Sequence, residues 1–71
     1  MNKLKLVRFL KEVPQWDLAL KLGMSQAQVS NIERGRIEVG HDLKIKIARA
    51  LEVEIGEVFP EGNTGGGQVL Q

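Results

Sequence analysis

The chain has 71 residues, 42% of them hydrophobic, and its only aromatics are Phe9, Trp16 and Phe59; that suffices for one small domain with a thin, mostly aliphatic core and excludes a multidomain enzyme. It has no cysteine and one histidine, which excludes disulfides and thiolate metal sites and all but excludes a zinc cage. The net charge of +1 hides an asymmetry: residues 1–49 hold all ten basic residues against five acids, a net of +5, whereas residues 50–71 carry Glu52, Glu54, Glu57 and Glu61 and come to −4, so one face suits a polyanion and another does not.

In chain order, Asn2 is placed to cap a first helix whose apolar residues Leu6, Phe9, Leu10 and Val13 recur at helical spacing before Pro14 ends it. Proline is tolerated at a helix start, so a second helix opens at Pro14 or Gln15, runs through Leu18, Ala19 and Leu22, and stops at Gly23. After one residue, Met24, the pair Ser25 and Gln28 has capping-box spacing and predicts a third helix from Ser25 to about Arg34, ended by Gly35. A loop over 36–41 leads to a fourth helix marked by Leu43, Ile47 and Leu51, and Ile55, Val58 and Phe59 suggest a short fifth turn before Pro60. Beyond it, the glycine-rich stretch 60–67 is expected to be disordered; Val69 and Leu70 belong either to a frayed end or to a segment that pairs with a partner subunit. The fold class expected is all-α, a compact five-helix bundle over 1–59 with a flexible tail over 60–71. No apolar run is long enough for a membrane span, and Lys3, Lys5 and Arg8 interrupt what a signal peptide needs to be apolar, so a soluble, cytoplasmic protein is expected.

Two helices joined through Gly23 with almost no loop must cross steeply. Leu18 and Leu22, Met24 in the turn, and Val29 and Ile32 provide a core between them, with the small Ala19 at their closest approach. In Gln15-Trp16-Asp17-Leu18-Ala19, Leu22-Gly23-Met24-Ser25-Gln26, Val29-Ser30-Asn31-Ile32-Glu33-Arg34-Gly35 and Ile47-Ala48-Arg49-Ala50-Leu51, continuing to Val58-Phe59, the sequence resembles the phage repressor and Cro-type (XRE-like) helix-turn-helix family of DNA-binding regulators over about residues 3 to 59. Two features depart from the family. Pro14 stands where relatives often have a capping serine or threonine, so the second helix is expected to lack a side-chain cap. Lys44 stands where many relatives have a leucine, with Leu43 one residue earlier, which leaves the phase of the fourth helix open.

At about 100° per residue, Val29 and Ile32 set the buried side of the third helix, and Ala27, Ser30, Asn31 and Arg34 fall on the other side. Gln26 stands beside that stripe in the first turn. An amide such as Asn31 pairs bidentately with adenine and the Ala27 methyl suits a thymine methyl, so the stripe has the chemistry of major-groove reading. The resemblance makes this the recognition helix, with Gln26, Ala27, Ser30, Asn31 and Arg34 as base contacts. Gln15, at a helix start, together with Lys21, Ser25 and Arg36, are the expected backbone contacts. Trp16 either packs over the first helix or meets the sugar–phosphate backbone. Glu33 lies beside the buried direction and needs a partner; many relatives pair this glutamate with an arginine seven residues before the helix-opening glutamine, which here is Arg8, so Arg8 and Glu33 are expected to form a structural ion pair.

The reading is a sequence-specific DNA-binding regulator, most commonly a repressor among such small relatives. It acts as a homodimer on double-stranded DNA, with Ile55, Val58 or Phe59 in the acidic rear half as the dimer surface. The rival is an antitoxin-like or adaptor-like module that holds a protein partner on the same scaffold. No catalytic site, cofactor or metal is expected: His41 has no nucleophile or carboxylate pair beside it.

Overall fold

The computed structural model describes residues 2–60, and within them the chain forms five helices and no strand: α1 (Leu4–Leu10), α2 (Gln15–Leu22), α3 (Gln26–Glu33), α4 (His41–Leu51) and α5 (Ile55–Val58). The tail expected over 60–71 lies, from residue 61 onward, outside the described residues.

Each boundary has a local cause. Asn2 serves α1 from one residue further out than a standard cap: its Oδ1 accepts from the Leu4 N–H at 3.0 Å, and its Nδ2 donates to the Ile32 carbonyl at 2.8 Å, tying the start of α1 to α3. The expectation that Pro14 ends α1 needs correcting, because closure comes earlier. Glu12 takes the left-handed conformation (φ 58°), and the Val13 N–H reaches back to the Arg8 carbonyl at 2.9 Å, the helix-closing pattern that glycine usually provides. Pro14 restricts only Val13, the residue before it, whereas the turn out of the helix is made at Glu12. Pro14 is the N-cap of α2 and supplies no side-chain cap. Gly23 (φ 69°) closes α2 with the Met24 N–H on the Ala19 carbonyl at 3.0 Å. Ser25 then opens α3 with a complete capping box: its Oγ accepts from the Gln28 N–H at 3.1 Å and its own N–H donates to Gln28 Oε1 at 2.9 Å. His41, expected in the loop, is instead the first residue of α4, with Gly40 as N-cap and Asp42 in the first turn, where a negative charge complements the helix dipole.

Leu4, Val7, Leu18, Ala19, Val29, Ile32, Ile47, Ala48, Leu51, Val58 and Phe59 fill the core, each large side chain contributing about 1.5–3 kcal/mol by leaving water. α2 packs chiefly on α3 and also on α4, while α1 bridges α3 and α5. The Lys3 N–H donates to the Val58 carbonyl at 2.8 Å and fixes α5 to the start of α1. Lys44 resolves the phase of α4: it is half-buried, with its ammonium 5.4 Å from the centroid of the Phe59 ring, so its stem covers the core edge where a leucine was the family's choice.

Two expected faces turn out otherwise. The core side of α1 is Leu4 and Val7, not the Leu6, Phe9 and Leu10 stripe, all three of which are exposed. Val58 and Phe59, assigned to a dimer surface, are buried within the chain's own core, and of that set Ile55 alone keeps partial exposure.

Candidate nucleic-acid interface

With Val29 and Ile32 turned inward, α3 and its C-cap Arg34 present Gln26, Ala27 and Arg34 exposed and Ser30 and Asn31 half-buried. The chain folds back after Gly35 (φ 74°), where the Arg36 N–H donates to the Asn31 carbonyl at 2.9 Å and closes α3. Among these residues only Arg34 carries charge, so the face is built mostly of amides, a hydroxyl and a methyl.

Beneath it runs a network of side-chain hydrogen bonds. Arg8 Nε donates to Glu33 Oε2 at 2.6 Å and Arg8 Nη1 to the Val13 carbonyl at 3.1 Å. Both charged side chains are largely buried, at 15% and 6% exposure, so the carboxylate has exchanged water for the guanidinium. Glu33 Oε1 also accepts from Gln15 Nε2 at 3.1 Å, and Gln15 Oε1 accepts in turn from Gln26 Nε2 at 3.1 Å. The chain Arg8, Glu33, Gln15, Gln26 therefore joins three helices and fixes which way both amides point, because Glu33 accepts only from an N–H. No buried side-chain nitrogen or oxygen is left without a hydrogen-bond partner among the described residues.

The cations stand around this centre. Gln15 opens α2, whose N-terminus has no side-chain cap and carries the positive end of the helix dipole. Lys21 is exposed but held by Asp17 at 3.0 Å, one turn away on α2. Ser25 and Arg36 are both exposed at the two ends of α3. Lys5, which sequence reasoning did not single out, borders a groove of about 480 Å³ together with Gln15, Ser30 and Arg34. Its place follows from α1 docking on α3, since Lys5 lies one turn before Arg8; periodicity within α1 alone carries no such signal. Trp16 is 59% exposed at the start of α2. No group of three or more histidine, aspartate or glutamate side chains is gathered as a metal would require among the described residues.

Two packed helices joined through Gly23, the second with a polar outer side and anchored by a buried ion pair, have the arrangement of helix-turn-helix proteins, and the family model described as "Helix-turn-helix" matches residues 4–58. The chain belongs to the XRE-type helix-turn-helix family. Helix-turn-helix relatives agree. An uncharacterized HTH-type transcriptional regulator of Methanocaldococcus jannaschii is 41% identical over 58 residues, covering 82% of this chain and 88% of its own. A second, from Sinorhizobium fredii, is 36% identical over 54 residues, which make up 76% of this chain but 28% of that longer protein. Among solved structures, the clp gene regulator ClgR from C. glutamicum superposes with a TM-score of 0.76 at 32% identity, covering 96% of this chain and 86% of that one. The protein is thus a helix-turn-helix transcriptional regulator of a DNA-binding family. No helix among the described residues is long and apolar enough to cross a membrane.

Proposed function

We propose that this regulator is a sequence-specific repressor that places α3 in the major groove of double-stranded DNA and acts as a homodimer. The observation that carries the reading is the outward side of α3: Gln26, Ala27, Asn31 and Arg34 face away from the core while Glu33 and Gln15 orient the Gln26 amide from behind. An amide fixed before binding loses little freedom when it meets a base edge. Gln26 and Asn31 are the readers of adenine and Ala27 packs against a thymine methyl, with Ser30 and Arg34 completing base contact.

Gln15, Lys21, Ser25 and Arg36 hold phosphates around that helix and set its register, and Lys5 extends the same rim. Two such domains suit half-sites one turn of duplex apart, about 34 Å. Repression needs nothing more than occupancy, because a protein seated across a promoter excludes others from it.

The test is selection of bound sites from a random-sequence duplex pool, followed by anisotropy titrations over a salt series. A selected two-fold-symmetric motif, with affinity falling steeply as salt rises, is the expected result. Recovery of no motif would overturn the reading in favour of a module that binds only a protein.

A further inference from the structure

Helix α1 carries more apolar side chains than the core takes. Leu4 and Val7 fill the core, whereas Leu6, Phe9 and Leu10, spaced as neighbours on one helix face, stand outward at 52%, 76% and 68% exposure. Three large hydrophobes side by side on a domain this small form a contiguous patch, of the kind that marks an interaction site. The patch also has relief: Phe9 separates a groove of about 550 Å³, bordered by Lys5, Leu6 and Glu33, from one of about 540 Å³, bordered by Leu10, Glu12 and Pro14.

Charge decides what fits there. Lys3, Lys5 and Lys11 are exposed around the patch and pair with no carboxylate among the described residues, while Arg8 is already committed to Glu33. Glu12 is the single acidic residue of the segment 2–13. A second copy presenting the same face brings the same three lysines against these three, and like charges brought together across an interface are repulsive. The phosphate backbone of a nucleic acid meets the lysines but leaves Leu6, Phe9 and Leu10 facing a highly charged surface.

We propose that the outer face of α1 docks an acidic amphipathic helix of a partner protein, with its apolar stripe seated in the two grooves beside Phe9 and its carboxylates over Lys3, Lys5 and Lys11. This is the helix-in-groove mode, in which apolar anchors at helical spacing give affinity and the charged rim gives selectivity. The face lies on the outside of α1 and leaves Gln26, Ala27 and Asn31 on α3 uncovered, so the base-reading residues and the protein-docking face are distinct and meet at Lys5, which borders a groove of each.

The experiment uses the full chain and three fluorescently labelled synthetic helical peptides: one with a Leu/Phe stripe and glutamate elsewhere, one with lysine replacing every glutamate, and one with serine replacing the stripe. The acidic amphipathic peptide is expected to bind about tenfold more tightly than either control, and Phe9→Ser, Leu10→Ser or Lys11→Glu each to weaken it about tenfold. The thermal melt and the selected DNA site of these variants should match the wild type, which keeps this result separate from the fate of the DNA-binding reading. Equal binding of the acidic and lysine peptides, or binding indifferent to both Phe9→Ser and Leu10→Ser, would overturn the proposal. So would a concentration-dependent dimer in sedimentation equilibrium that Phe9→Ser dissolves, since that assigns the face to a second copy.

Discussion

Helices α1 and α3 lie against each other and are built alike on the inside: each sends two aliphatic side chains into the core, Leu4 and Val7 from one and Val29 and Ile32 from the other. On the outside they differ. α3 and its C-cap show solvent Gln26, Ala27 and Arg34, whereas α1 shows it Leu6, Phe9 and Leu10 among lysines. Equivalent burial with different exteriors separates what holds the bundle together from what it offers to a partner. Amides suit the hydrogen-bonding edges of bases, and a basic apolar ridge suits an acidic apolar helix.

The sharpest way to break the comparison is to cut the link between the two helices. Arg8→Met strands the Glu33 carboxylate in a largely buried position and is expected to cost about 3–5 kcal/mol, a large share of the roughly 5–15 kcal/mol that holds a domain folded. Urea unfolding would measure it, and a midpoint equal to that of the wild type would show that the pair does not anchor α3. Next in size is the contrast between inside and outside. Ile32→Ala on the core side of α3 should lose about 2–5 kcal/mol, while Phe9→Ala on the outer side of α1 should stay within about 0.5 kcal/mol. Similar losses in the two melts would erase the distinction drawn between the faces.

Smaller again is the cap. Ser25→Ala removes the acceptor for the Gln28 N–H and is expected to lower stability by about 1 kcal/mol, seen as a shift in the thermal midpoint. The smallest effect on the fold comes from Arg36→Ala, which should leave the melt unchanged, weaken binding to all duplexes about equally and reduce the salt slope by about one contact. Loss of selectivity at a single base pair in this variant would move Arg36 from the phosphate rim to the base-reading set.

The difference between α1 and α3 also explains what the sequence made legible. The ends of α2 and α3 are written in residues with one conformational use each: Gly23 at positive φ, and Ser25 with Gln28 at capping-box spacing. The polar side of α3 stands out because Val29 and Ile32 are its only large apolar residues, so its phase has one solution. In α1 the phase is ambiguous, since Leu4, Leu6, Val7, Phe9 and Leu10 spread over more than half of the helix circumference. The longer-spaced set of Leu6, Phe9, Leu10 and Val13 fits a helical stripe better than Leu4 and Val7 do, yet tertiary packing buries the shorter set. What orients α1 is long-range: Arg8 against Glu33, Asn2 against the Ile32 carbonyl, and Lys3 against the Val58 carbonyl. The same holds for Val58 and Phe59, whose burial depends on α5 folding back on α1. The hydrogen bonds that run from Glu33 through Gln15 to Gln26 cross helix boundaries, and spacing along a single helix carries no sign of them.

If the outer side of α3 reads bases, as proposed, Asn31 is the residue at which the reading shows. Binding of wild type and Asn31→Ala should be measured against every single-base variant of the selected site at one fixed salt concentration. The variant is expected to lose about 1–3 kcal/mol of discrimination at one base pair and to keep the wild-type preference at the others. Unchanged discrimination at every position, or a uniform loss across all sequences, would contradict the proposed base reading.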